Sequence, residues 1–327
     1  MSGSADRNRA ETAPLPQTGA VVYLAAVGRY PSVIEASAQR LAARELVPSE
    51  EGKPTAEYSP RFIRRFTRVF WAFARIWFRP RVDGLERIPP APCMFVGNHS
   101  GYGVMEIFVL LSVWTRRFGT ARPVVGLSHD VGLRWPLRWG VVRIGGVRAS
   151  PRAARESLSR GFDALVFPGG VEDALRPFGA RYEVCWAGRS GFLRAAADAG
   201  VPIVPVVNCG SHAQFTLLPG GASVARWFGL RRFRVPTWPL PLGSLALVAT
   251  LVAWATGALA GGWVVAGFLF AFVPNPTRMR IGFLEAVDAR RLLREHGGSA
   301  EAAAEFLRAK LQSTLRSLAE ERRTPWG

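Results

Sequence analysis

The chain has 327 residues, 49% hydrophobic and 20% charged, enough for one large α/β domain with a well-buried core or for two smaller domains. Its formal net charge is +18, and nearly all of the excess is arginine, since Lys53 and Lys310 are the only lysines. That balance favours phosphate, on anionic lipid or nucleic acid, although a GC-rich genome gives the same arginine excess. No zinc-ligand spacing, RNP-like motif or basic heptad region is present, which argues against nucleic acid as a partner. Cys93, Cys185 and Cys209 are odd in number and far apart, so they read as small buried residues in a reducing compartment. His99, His129, His212 and His296 lack metal-ligand spacing, and no metal is expected.

Residues 1–60 read as an N-terminal tail and linker. The first 18 are polar and rich in Pro and Ala, with no apolar run after Met1, which predicts disorder and not a signal peptide. A short helix can form over Pro31–Glu45, with Ile34, Ala38, Leu41 and Ala42 on one face, followed by a linker over 48–60. Residues 61–80 predict a basic amphipathic membrane helix. Phe62, Phe66, Val69, Phe70, Phe73 and Trp77 fall at helical spacing on one face, and Arg61, Arg64, Arg65, Arg68 and Arg75 are unmixed with any acid before Pro80 stops the helix. The alternative is an ordinary core-facing helix, but its surface would mix Glu with Arg.

Residues 81–327 alternate short apolar runs with helical stretches. Candidate strands are Met94–Gly97, Pro123–Leu127, Val141–Ile144, Ala164–Phe167, Ile203–Val207 and Arg280–Phe283, and candidate helices are 104–114, Pro151–Ser159, Gly191–Ala199 and a C-terminal one within 299–322. The alternation predicts an α/β fold with a largely parallel central sheet flanked by helices. In Gly191–Ala199 the spacing turns Phe192, Leu193, Ala196 and Ala197 inward, and Gly200 ends the helix. Residues 235–277 carry no charge. A single helix over 245–273 would be about 44 Å long, against a hydrocarbon core of about 30 Å. Two short helices hinged at Gly261-Gly262, entered through Pro236, Pro239 and Pro241 and left through Pro274 and Pro276, read instead as an apolar re-entrant membrane hairpin; a hairpin buried in the core is the alternative.

The chemistry concentrates at Asn98-His99. The apolar run Cys93–Val96 leads into a Gly-punctuated turn, Asn98-His99-Ser100-Gly101, and then into the helix that carries Glu106. A His at a strand-to-helix turn can act as a general base, with an acid on the next helix held against its far nitrogen. The plain alternative is a capping His and a surface Glu. A second strand ends in a similar turn, Phe167-Pro168-Gly169-Gly170-Val171-Glu172-Asp173, and Gly188-Arg189-Ser190-Gly191-Phe192 and Val201-Pro202-Ile203-Val204-Pro205-Val206 follow.

With Asp83-Gly84-Leu85-Glu86-Arg87-Ile88-Pro89 ahead of them, these blocks resemble the glycerolipid acyltransferase superfamily over residues 80–287, in the branch that carries Pro-Gly-Gly. The resemblance implies an O-acyltransferase using acyl-CoA or acyl-carrier protein and a glycerolipid or lysophospholipid hydroxyl, with no bound cofactor. It implies His99 as base and Glu106 as its acid. Asn98, Gly101, Phe167, Pro168, Gly169, Gly170, Glu172, Arg176 and Arg189 would meet substrate, and backbone N–H groups around Gly169-Gly170 would bind the oxyanion. Arg148 and Arg152 are further candidates for phosphate, and His129 and His212 for the lining of the site.

The resemblance also sets the strand at 280–283 in the same sheet as the His strand, so the apolar hairpin should enter a membrane without crossing it. A bacterial-type inner membrane is then expected to hold the protein on its cytoplasmic face, by its anionic surface. Two positions depart from the family pattern. The acid five residues after the His is absent, since residue 104 is Val, and Glu106 stands seven residues on. Where the family has a cation after Pro-Glu-Gly, Glu172-Asp173 puts two acids, which predicts a neutral or zwitterionic acceptor over lysophosphatidate. A thioesterase using the same pair, or a membrane-docking homologue without activity, are the alternatives.

Overall fold

The computed structural model describes residues 58–327 apart from 91, 100, 102, 103 and 234–236, and of 131 and 233 the backbone alone. The expected tail and the helix at 31–45 lie outside the described residues. The strands are β1 (Arg81–Asp83), β2 (Met94–Gly97), β3 (Val124–Ser128), β4 (Gly146–Arg148), β5 (Asp163–Val166), β6 (Pro202–Cys209), β7 (Arg280–Phe283) and β8 (Val287–Asp288). They form a sheet in the order β1-β7-β6-β2-β5-β3-β4, with β8 beside β6. All neighbours pair parallel except β6 with β7 and with β8.

The helices are α1 (Pro60–Trp77), α2 (Met105–Phe118), α3 (Arg138–Arg143), α4 (Pro151–Ser159), α5 (Gly170–Ala174), α6 (Gly191–Ala199), α7 (Gly221–Trp227), α8 (Leu242–Ala255), α9 (Gly261–Phe272), α10 (Ala289–Glu295) and α11 (Ala300–Glu320). Strand residues alternate between two cores, as a period of two requires. Met94, Val96, Ile203 and Val207 pack against α4, α6, α10 and α11. Phe95, Val204, Val206, Ile281 and Phe283 pack against α1 and α2. In α6 Phe192, Leu193, Ala196 and Ala197 are buried and Gly200 caps it with φ +67°, as its pattern predicts.

At the edge of the sheet where β2 and β5 begin, Arg122 closes a buried clamp. Its Nε and Nη2 donate to Asp163 Oδ2 and Oδ1 at 2.6 and 2.9 Å, and Nη1 to the Pro89 carbonyl at 2.8 Å. Asp163 Oδ1 also accepts the Cys93 N–H at 2.8 Å.

Three expectations are corrected. The apolar run Val141–Ile144 is not a strand: it ends α3, and the strand position falls to Gly146-Val147-Arg148. A short apolar run does not by itself distinguish helix from strand; the strand that follows packs tightly on the helix, since a Cβ on Gly146 would lie 2.3 Å from a Val141 methyl. In α1 the fully buried side chains are Ile63, Thr67 and Ala74. The aromatic stripe is only half-covered, by Phe108 of α2 against Phe66 and Phe70, and it leaves Val69 and Phe73 exposed. The apolar segment does fold into two packed helices, α8 and α9, but their turn comes at 256–260 with Gly257 at φ +76°, and Gly261-Gly262 open α9.

These two helices approach closely because Gly243 and Gly267 face the partner: a Cβ would lie 2.4 Å from the Phe270 carbonyl and 2.4 Å from Thr250 Oγ1, respectively. Their outer faces, including Val248, Val252, Trp254, Trp263, Val265 and Phe268, are exposed, so the hairpin is not part of the core. The helices have 14 and 12 residues, and among the described residues no helix is long and apolar enough to cross a membrane.

Candidate active site

Three adjacent parallel strands, β6, β2 and β5, end on one edge of the sheet. Loops at the carboxyl ends of such strands meet in a crevice. His99 follows β2 by two residues, Phe167-Pro168-Gly169-Gly170 follows β5, and His212 follows β6. The edge is closed by a reciprocal amide pair. Asn98 Nδ2 donates to the Asn208 carbonyl at 2.9 Å, Asn98 Oδ1 accepts the Asn208 N–H at 2.8 Å, and Asn208 Nδ2 donates to the Asn98 carbonyl at 3.1 Å. Asn98 is fully buried. It ties β2 to β6, with its side-chain amide and its carbonyl both engaged by Asn208.

His99 and Glu106 are brought together, with Nδ1 to Oε1 at 2.5 Å. The carboxylate is fully buried while the imidazole keeps 14% exposure, so the acid is not a surface Glu. The spacing of seven has a backbone cause. Val104 adopts φ +50°, a conformation costly for a β-branched residue, and delays the start of α2 to Met105. Glu106 then lies in the first helical turn, pointing back to the His. Gly101, at φ +105°, passes under the loop after β6, where a Cβ would be 2.9 Å from the Ser211 carbonyl. Its role in the structure is this close approach.

The backbone of His99 is held from both sides. Its N–H donates to Asp173 Oδ2 at 2.5 Å. Its carbonyl accepts from the His212 ring. Asp173 and His212 are themselves bridged by Arg176, which pairs with Asp173 and donates through Nη2 to His212 Nε2 at 2.8 Å. All three side chains are buried. Burial, then the neighbouring Arg176 and His99, push His212 well below the ordinary imidazole value, so it is neutral at neutral pH and its Nδ1 carries the proton donated to His99. Burial lowers Arg176 to about 10, still cationic. The sequence singled out Arg176 as a phosphate ligand, but the structure turns it inward. Asp173 went unrecognised; the signal available was an acid in the first turn of the helix that follows Pro-Gly-Gly.

Phe167 stacks on the His99 ring, centroids 4.7 Å apart. Gly169 is required where it stands, since a Cβ would be 2.1 Å from the Cys185 carbonyl. The Gly170 N–H is spent on the Phe167 carbonyl at 3.0 Å, which leaves the Gly169 N–H as the donor of the pair without an acceptor among the described residues. Arg189 braces this turn: Nη1 donates to the Pro168 and Gly169 carbonyls at 3.0 and 2.8 Å, and Nη2 pairs with Glu172 at 2.7 Å. Both acids expected to repel a phosphate are thus paired with arginines, and the electrostatic case for a neutral acceptor loses its premise. Arg148 pairs with Asp130 at 3.0 Å and Arg152 with Glu156 at 2.8 Å. His129 is exposed beyond β3.

Residues 79–208 match the family model described as Acyltransferase. An uncharacterized protein of Mycobacterium tuberculosis is 30% identical over 195 residues, 58% of this chain and 54% of that one. A protein of Mus musculus named DGAT1/2-independent enzyme synthesizing storage lipids is 27% identical over 179 residues, 54% of this chain and 53% of that one. The chain spans about half the length of the curated relatives it matches. Among solved structures, the 1-acyl-sn-glycerophosphate (LPA) acyltransferase, PlsC, from Thermotoga maritima aligns at TM-score 0.47 and 19% identity, covering 93% of this chain and 94% of that one.

Proposed function

We propose that the chain, whose residues 79–208 match the Acyltransferase family model, moves a fatty acyl group from a thioester donor, acyl-CoA or acyl-carrier protein, to the hydroxyl of a glycerolipid or lysophospholipid. The observation that carries the proposal is the 2.5 Å contact between His99 Nδ1 and buried Glu106 at the carboxyl edge of the sheet. With Nδ1 occupied, Nε2 is the nitrogen left to take the hydroxyl proton. The hydroxyl oxygen attacks the thioester carbonyl carbon, and the Gly169 N–H is a candidate donor to the resulting oxyanion. Collapse breaks the C–S bond, and the leaving thiolate takes the proton back from His99, giving an ester and a free thiol. Neither metal nor bound cofactor enters this scheme.

Lipid access is assigned to the exposed stripe of α1 and to the α8–α9 hairpin, which together would seat the protein on the cytoplasmic face of a bacterial-type inner membrane, by its anionic surface. Support comes from five arginines unmixed with acid on α1 and from an uncharged, exposed hairpin. The mouse relative, named as an enzyme synthesizing storage lipids, supports a lipid product.

The test is mass spectrometry of products from labelled acyl-CoA offered diacylglycerol, a lysophospholipid or lysophosphatidate, with free fatty acid counted in their absence. His99→Ala is expected to lower transfer about 10²–10⁴-fold while the chain stays folded. Activity within a few-fold of the parent would refute the base, and acid release without any ester would mean a thioesterase.

A further inference from the structure

From the connection after β3 into the first turn of α3, every residue from 134 to 139 is exposed, Arg134-Trp135-Pro136-Leu137-Arg138-Trp139. Trp135 is 89% exposed, Leu137 56% and Trp139 59%. The run is not a loose tip. The Arg138 N–H bonds the Arg134 carbonyl at 2.8 Å, Val142 behind it is buried, and the Arg143 carbonyl accepts the Ser59 N–H at 3.0 Å, which fastens this turn to the start of α1. Arg143 covers one side of Trp139, its guanidinium 4.4 Å from the ring centroid.

The turn continues a single aromatic ridge. Trp139 stands edge-on to Phe62 at 5.3 Å. From there the rings of Phe62, Phe66, Phe70, Phe73 and Trp77 follow one another along α1 at 5.8 to 6.2 Å. At the far end Trp77 Nε1 donates to the Pro274 carbonyl, just beyond the hairpin, at 2.6 Å. The ridge thus joins two exposed apolar features at opposite ends of one helix. The charge pattern is shared as well: residues 131–147 contain Arg134, Arg138 and Arg143 and no acid, as residues 58–82 contain none.

We infer that Trp135, Leu137 and Trp139 form a further lipid contact, inserting at the headgroup level of an anionic bilayer beyond the N-terminal end of α1. The inference rests on the membrane reading of α1 and the hairpin given above, and extends it to a turn to which that reading assigns nothing. The occupant is a bilayer interface because its chemistry matches the turn. Tryptophan prefers the zone between water and acyl chains, and arginine flanks it to meet phosphate. Contacts at both ends of α1 would also fix how the protein sits on the membrane, with α1 lying in its plane.

The test uses the full chain and vesicles of phosphatidylcholine with about a third phosphatidylglycerol. An environment-sensitive fluorophore is placed on Trp135→Cys in a Cys185→Ser background, since Cys93 and Cys209 are buried. Brominated lipids are expected to quench it. A Trp135→Ser/Leu137→Ser chain should partition about tenfold more weakly, with an unchanged melting temperature because both side chains are exposed. Parent binding with an unquenched fluorophore and no loss in the double variant would overturn the contact and leave α1 and the hairpin as the membrane surface. A parent chain that ignores vesicles would overturn the membrane reading and this contact with it. Shielding of the fluorophore that grows with protein concentration in the absence of lipid would overturn it in favour of a second copy on the turn.

Discussion

Replacing Glu106 by Gln removes a charge beside His99 and little else. Gln keeps the volume and an acceptor, but cannot stabilise the imidazolium formed when the ring takes a proton. Turnover should fall about 10²-fold or more with KM little changed, read from steady-state rates on a soluble short-chain acyl-CoA. Glu106→Ala is the poorer probe, because the carboxylate is fully buried and its loss leaves a hole. Asp173 is a different matter. It holds the His99 N–H and neutralises Arg176 in the interior. Asp173→Asn should cost about 3–5 kcal/mol by stranding the Arg176 charge, and Arg176→Met added to it should restore part of the loss in thermal denaturation. His212 supplies a pH signature. Its folded value is depressed, so below about 6.5 the unfolded chain takes up a proton that the folded one refuses. This contribution to stability is complete above that pH and declines on acidification, at up to about 1.4 kcal/mol per pH unit. Melting curves of His212→Gln should lose that component of the slope.

The hairpin can be wedged open where its helices touch. Gly243→Leu would drive a side chain into the Phe270–Ala271 backbone, so the α8–α9 spacing measured between spin labels should widen. Elements of this kind were legible in the sequence when one signal determined them. The strand β2 falls where its apolar run puts it, since both-sided burial leaves little choice of residue, and β7, α4 and α6 keep their expected bounds. The end of α3 was not legible, because Val141–Ile144 satisfies helix and strand equally. At the site, the turn between strand and helix left the His99–Glu106 pair as one of two readings, and the resemblance of the later blocks favoured it. Asn208 and Asp173 were not readable, since each acts across the sheet edge on residues 110 and 74 positions away. The stripe on α1 was read correctly as a pattern, but which residues are buried depends on α2, which the helix sequence does not contain.

For the molecule as a whole, α1 belongs to the core as well as to the surface. Ile63, Ala74 and Phe78 pack beside Phe95 and Phe283, so deleting residues 61–79 would expose the sheet and not merely release the protein from a membrane. Val69→Ser/Ile76→Ser changes only exposed positions and should weaken vesicle binding without lowering the melting temperature. An unchanged partition would remove α1 from the lipid surface.

The Arg122–Asp163 clamp lies at the edge of the sheet away from His99, and its consequence is a gradient in time. The Cys93 amide is held by a carboxylate that is itself locked in two further bonds, so it can exchange its proton only when the whole sheet opens. Six residues on, the His99 amide is held by a single side chain, Asp173 of α5, a helix of only five residues. Deuterium uptake along β2 should therefore quicken from Cys93 to His99, so that the edge carrying the candidate site opens more often than the opposite one.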